Sequence, residues 1–525
     1  MSRRQVAVLA AAFSIVLGEL VPGHIGRNKR PADSFRPDIP KVWDEAALAD
    51  WVTPVAALNV RPAHISERQY YSLPVMDLRT YPVYSPGREP EGYWEMIQRL
   101  EPKPLIEPAK LKTEDDWIEA GRRVFEEADA FQMRTFGPKL IAQTRNRQFV
   151  EGKGSSPFPD GTLPLLRWVP TRRGVALTIA NCSGCHVMSL PDGTRVPGAS
   201  RLTEVTRAHP FQFFRGLQAD YLESPNRVLR GAPPFVMNAD ETFGSWLYQA
   251  YGVPWLKDDP NARLKNATQA DYKAFVAAER LGGIVVRWNG SPLYPTKIPD
   301  LIGIKDRRYI DHTGTHLHRG IGDLMRYAAQ VSSAEMADFG PYHTISSNTL
   351  RVQGRLSDEA LYAMSLYLYS LKPPPNPNPF DERAEAGQKI FEREGCVMCH
   401  TPPLYTSNKL TLALGFTPPE DVPATLDILP ISVGTDPGLA LATRKGTGYY
   451  KVPSLKGVWY RGHYLHDGSV ASLEEMFDPD RLKDTHVPGG WSPPGSKTRA
   501  IKGHEFGLHL APAEREQLIA FLRTL

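Results

Sequence analysis

The sequence predicts an all-α fold: two related helical units with long irregular loops, behind a proline-rich N-terminal extension. Three observations carry this. Glu119-Ala-Gly121-Arg-Arg-Val124-Phe125-Glu126 recurs as Glu385-Ala-Gly387-Gln-Lys-Ile390-Phe391-Glu392. Leu356-Ser357 to Tyr367-Leu368-Tyr369-Ser370-Leu371 aligns without a gap onto Leu510-Ala511 to Phe521-Leu522-Arg523-Thr524-Leu525. Between the copies lies Lys372-Pro-Pro-Pro-Asn-Pro-Asn-Pro379, a stiff extended breaker.

Each repeated segment has the spacing of an amphipathic helix, so each unit opens and closes on a helix and the two should pack together. The chain then divides into an export signal at 1–25, a Pro-rich extension at 26–110, unit one at 111–371 and unit two at 381–525. At roughly 150 residues per domain, 525 residues allow about three domains. Irregular connections follow from 48 Pro and 42 Gly. Aromatic residues spread along the whole chain argue against disorder. Lys and Arg total 62 against 58 Asp and Glu, a net charge of +4, too weak a bias for a nucleic-acid partner.

The N-terminus has the form of an export signal, with basic Ser2-Arg3-Arg4 followed by an apolar run from Val6 to Leu17. A run of twelve residues falls short of the ~20 that span a bilayer. A cleaved signal and a periplasmic or secreted protein are expected; an uncleaved membrane anchor is the alternative.

All four cysteines sit in two copies of C-x-x-C-H: Cys182-Ser-Gly-Cys185-His186 and Cys396-Val-Met-Cys399-His400. Two thiols at this spacing reach the two vinyl groups of one haem, and the histidine that follows projects toward the iron. Two C-x-x-C disulfides, or one four-cysteine zinc site, give no reason for a histidine after each pair. Two cytochrome c-type haem domains are therefore expected, each with a covalently bound haem c. Gly387 precedes Cys396 by nine residues and Gly121 precedes Cys182 by sixty-one, so unit one carries an insertion of about fifty-two.

Unit two also contains Gly434-Thr-Asp-Pro437, Lys451-Val-Pro-Ser-Leu-Lys-Gly-Val-Trp459, Tyr464-Leu-His466-Asp-Gly-Ser-Val470 and Gly503-His504-Glu-Phe-Gly507. With the second haem motif, these runs resemble the bacterial dihaem cytochrome c peroxidase superfamily. The pattern is closest to the branch that includes latex-cleaving dihaem oxygenases. The resemblance covers unit two and the surroundings of Cys182 to His186; it is poor over the extension and over much of 190–350. It implies one haem for chemistry and one for electron transfer, and leaves open whether calcium joins the units.

A haem with both axial positions filled by protein carries electrons, whereas one with an open position binds peroxide or dioxygen. In unit two the candidates for the sixth ligand are His463, His466, Met476, His486, His504 and His509. His504 leads because it lies just before the closing helix; His466 is second. The position in unit one that matches His504 is Leu350, which cannot ligate iron. The Cys182–His186 haem is thus the catalytic candidate, unless His343 or Met325 fills its open face. The stretch Lys305 to Arg319 concentrates His312, His316, His318 and three arginines. His316 or His312 with Arg319 would form a distal acid–base site; structural hydrogen bonding and pairing with haem propionates are the competing roles. Trp459, Trp288 and Trp255 fit either electron relays or core packing.

A periplasmic dihaem oxidoreductase of peroxidase type is the leading expectation. Its partners would be a small redox carrier protein or quinol-linked donor, and an oxidant such as hydrogen peroxide or dioxygen. An oxygenase acting on an apolar substrate, a non-catalytic electron-transfer cytochrome and a haem-bearing structural or sensing module are the alternatives.

Overall fold

The structure is a computed structural model that describes residues 35–57, 60, 62–129, 138–152, 157–179, 182–200, 256–258, 284–285, 293–332, 337–339, 354–422, 426–443, 445–493 and 495–525. The export signal, Leu350, His343, Trp255 and Trp288 lie outside these residues. Among the described residues, no helix is long and apolar enough to cross a membrane.

Among the described residues, five helices of twelve residues or more organise the fold: α1 (Glu114–Glu127), α2 (Ile321–Ser332), α3 (Asp358–Ser370), α4 (Glu382–Arg393) and α5 (Pro512–Arg523). Helix α1 starts at a Thr113 capping box with Asp116, and α4 at Asp381, whose carboxylate accepts from the Ala384 N–H. Helix α1 packs on α3, and α4 on α5. The two crossings share one detail. A side chain on Gly121 would lie 1.9 Å from the Ala363 carbonyl oxygen, and one on Gly387 would lie 1.9 Å from that of Gln517. Phe125 meets Tyr367 with ring centroids 5.5 Å apart, and Phe391 meets Phe521 at 5.3 Å. The repeated Gly and Phe are thus the contact residues of two like helix pairs.

The fold is not all-α. Six small sheets accompany the helices among the described residues. One has the order β1 (Tyr81–Tyr84), β2 (Thr162–Thr171), β3 (Gly174–Ile179), all antiparallel. A second combines β4 (Leu410–Leu412), β5 (Ile428–Ser432) and β6 (Tyr449–Lys451), with β4 central. Strand β2 was hidden by its own composition. Pro164 and Pro170 read as breakers, yet Pro164 lies where pairing with β1 slips register, a place that tolerates a missing N–H donor. Leu163, Leu166, Trp168 and Leu177 of this sheet bury a small core with Val83 and Ile97. The hairpin delivers the chain to Cys182.

The extension is part of the core of unit one. Val42, Trp43, Leu48, Trp51, Ile65 and Tyr70 share one buried cluster with Trp117, Phe125, Leu361 and Met364. Trp43 stacks on Tyr70 at 5.0 Å and donates its indole N–H to the Ile65 carbonyl.

Candidate haem sites

Both C-x-x-C-H motifs form the same tight turn. The His186 N–H donates to the Cys182 carbonyl at 3.0 Å, and the His400 N–H to that of Cys396 at 2.8 Å. In unit two the turn follows α4 directly, which Gly395 ends in the left-handed conformation at φ 72°. Burial pushes the Cys182 thiol up to about 12 and the Cys396 thiol up to about 11. Among the described residues, no three His, Cys, Asp or Glu side chains gather around a common point. The zinc alternative therefore has no site there.

A cavity of about 570 Å³ opens beside the second motif. Phe391, Leu455, Val458, Leu473, Phe477 and Leu522 wall it, and Cys396, Cys399, His400 and His504 face it. The rings of His400 and His504 stand with centroids 6.3 Å apart. Two imidazoles on opposite sides of one metal atom, each ~2.0 Å from it through a ring nitrogen ~1.1 Å from the centroid, would be separated by roughly this distance. Burial keeps both imidazoles neutral, so each retains a nitrogen lone pair: His504 is pushed down to about 4, and His400 is also lowered. His400 Nδ1 faces the Tyr405 carbonyl at 3.2 Å, an acceptor that favours the proton on that nitrogen. The donor set thus fits a haem c between the two rings.

His504 is held in strained backbone at φ 48°. Its N–H donates to the Val433 carbonyl at 2.6 Å. Gly503, at φ 83°, presses on Gly434 and Thr435 so closely that an added Cβ would lie 2.3 Å from their backbone. Two runs singled out in the sequence are therefore in contact. Arg481, fully buried, donates to the carbonyls of Met476, Ile501, Gly503 and His504. Arg481→Met would leave four buried acceptors without this donor. A loss of roughly 3 kcal/mol is expected, measured by urea unfolding.

The other sixth-ligand candidates are placed as follows. His466 also lines the cavity, stacked on Tyr450 at 4.4 Å with Nε2 3.3 Å from its hydroxyl. Met476 lines the wall. His486 pairs with Glu475 and His509 with Glu394. His463 adopts φ 51°.

His312, His316 and Arg319 do not share one site. His312 lines the second cavity, with Nε2 2.8 Å from the Lys297 carbonyl. His316 is enclosed by Trp51 at 4.5 Å and Tyr327 at 5.1 Å. Arg319 is half exposed and pairs with Asp323, which also holds Arg326. His318 bridges the Arg307 carbonyl and the Tyr369 hydroxyl. Burial pushes the His312 imidazole down to about 3. Between pH 6.5 and 3 the unfolded chain binds a proton that folded His312 refuses, so stability falls as pH is lowered through that window. His312→Gln keeps a donor for the Lys297 carbonyl and removes the titration. Its denaturation midpoint should fall less steeply with acid than that of the unmodified protein.

At the first motif, burial holds His186 neutral, pushed down to about 4. The Cys182 sulfur lies 3.7 Å from that of Met364 on α3. Met325 is buried in the same core. Trp459 packs edge-on against Tyr460 at 5.2 Å. Sequence reading gave no role to Lys297, Lys451, Arg461 or Arg481, whereas Arg307 lies within the Lys305–Arg319 stretch it singled out. Lys451 stood inside a quoted motif; Arg481 had no local signal at all.

No family model matches the chain. Over 162 residues it is 30% identical to the cytochrome-c peroxidase IdrP1 of Denitromonas iodatirespirans, covering 27% of this chain and 40% of that protein. Over 166 residues it is 31% identical to the IdrP1 of Pseudomonas sp. (strain SCT), covering 28% and 41%. The chain thus spans about two fifths of the length of these curated relatives. Among solved structures, hydrazine synthase of Kuenenia stuttgartiensis aligns at TM-score 0.27 and 16% identity, over 44% of this chain and 73% of that one. A MauG-like protein associated with microbial copper homeostasis aligns at 0.27 and 17%, over the same shares. Superpositions this loose carry no weight for the fold. Over about a quarter of its length, then, a chain whose cysteines all lie in two C-x-x-C-H motifs is similar to cytochrome-c peroxidases, which supports its resemblance to the dihaem cytochrome c peroxidase superfamily.

Proposed function

We propose that the chain is a periplasmic two-haem c-type oxidoreductase of peroxidase type, with unequal haems. Cys396 and Cys399 would tether one haem, which His400 and His504 would hold through their imidazoles; Cys182 and Cys185 would tether the other, which His186 would hold. The observation that carries the reading is the 6.3 Å spacing of the His400 and His504 rings across a cavity that contains both attachment cysteines. Haem iron supplies one-electron and peroxide chemistry; a site with two protein imidazoles is confined to electron transfer. Leu350, the counterpart of His504, supports an open position at the first haem.

The chain's own residues bind and orient. The Tyr405 carbonyl holds the His400 proton on Nδ1, and Arg481 and Val433 hold the His504 loop. The apolar wall keeps water from the second haem. A small redox carrier or quinol-linked donor and a peroxide oxidant complete the reaction. Electron paramagnetic resonance of the purified holoprotein tests the reading. One low-spin and one high-spin ferric signal are expected, and the high-spin signal should respond to cyanide and peroxide. Two low-spin signals that ignore both ligands would leave an electron carrier instead.

A further inference from the structure

One wall of the second cavity is basic, and the polypeptide does not neutralise it. Lys297 and Arg307, ahead of α2, and Lys451 and Arg461, from unit two, all line the cavity. Among the described residues, Asp300 is the one acidic side chain that lines it. The four cations have meagre partners. Lys297 Nζ reaches the Arg461 carbonyl at 3.3 Å, and Lys451 Nζ the Tyr309 carbonyl at 3.3 Å. Arg307 donates to the carbonyls of Asp300 and Ile302 and lies 3.7 Å from the Asp300 carboxylate. Arg461 Nε is buried without a hydrogen-bond partner. Burial pushes both lysines down to about 7, the mark of ammonium groups short of counter-charge.

Burying such an excess of charge is costly unless an anion arrives with its own acceptors. The group that the attachment cysteines imply brings two carboxylates on one edge. The basic segment also reaches the first motif: the Pro299 backbone and the Arg307 charge both act on the His186 imidazole. We propose that Lys297, Arg307, Lys451 and Arg461 form a carboxylate receptor built from both units, which takes the propionates of the haem tethered at Cys396 and Cys399 and keeps them ionised. The inference rests on the reading that a haem fills this cavity. It makes residues outside unit two part of the second haem's pocket, and it makes that haem a staple between the units.

The test is spectroelectrochemistry of the holoprotein and of Lys297→Met/Lys451→Met. Losing two cations disfavours the more negative ferrous state. The reduction equilibrium constant of the His400-ligated haem should fall by about tenfold, equivalent to 59 mV for a one-electron couple. Lys451→Arg, which keeps the charge, should stay close to the unmodified value. Should the double variant not accumulate with haem, infrared redox-difference spectra of the unmodified holoprotein decide, with haem carboxylates expected as anions at pH 6. An unchanged midpoint with the low-spin signal intact, or neutral-acid bands at pH 6, overturns the receptor. Absence of a bis-histidine low-spin haem from the unmodified protein overturns the reading beneath it, and the receptor with it.

Discussion

Replacing His504 with alanine is expected to abolish the low-spin ferric signal of the second haem completely and replace it with a high-spin one, while haem attachment at Cys396 and Cys399 persists. The expectation follows from geometry and protonation together. His504 faces His400 across the cavity at 6.3 Å between centroids, and burial keeps it neutral and able to donate a lone pair. Its backbone strain at φ 48° is sustained by Arg481 and by the Gly503 contact with Gly434, so the loop has been built to present one side chain. His466→Ala is the control. His466 shares the cavity but stacks on Tyr450, and its loss should leave the low-spin signal in place. If the signal survives in His504→Ala and disappears in His466→Ala, the assignment reverses.

That control matters because the sequence ranked the two histidines on position alone. His504 was ranked first by its place before the closing helix, a property of the repeat and therefore visible in the chain. The attachment residues were visible for the same kind of reason: their chemistry is local, fixed by spacing within five residues. Arg481 and Lys297 were not visible, since what makes them matter is burial against distant carbonyls and a cavity that folding alone creates. The strands were missed on composition. Pro164 is accommodated by the register slip against β1, and Pro170 sits beside the hairpin turn, opposite Val175 and beyond the residues that β1 pairs. His312 and His316 lay four residues apart and looked like one cluster. A left-handed turn at Asp311 and another at Gly314 send one into the second cavity and the other between Trp51 and Tyr327.

The repeat itself yields the second large effect. Gly121→Ala and Gly387→Ala should each destabilise the protein by roughly 3 kcal/mol, read from urea or thermal unfolding. Two terms of opposite sign compete at both positions. Exchanging glycine for alanine inside a helix favours folding by about 1 kcal/mol from backbone entropy alone. Against that, the new methyl would sit 1.9 Å from the carbonyl oxygen of Ala363 or Gln517, and 2.8 Å from the Cβ of Tyr367 or Phe521. Neither neighbour is the free end of a flexible chain, so the helices must move apart. Separation loosens the Phe125–Tyr367 or Phe391–Phe521 contact that closes each pair. The packing term should therefore win, and the sign of the change reports which term dominates. Stabilisation by a few tenths of a kcal/mol at either position would mean that the close crossing is absent there. Because the two glycines sit in separate helix pairs, the costs should add to within about 0.5 kcal/mol in the double variant. A larger deviation would show that the two helix pairs are energetically coupled.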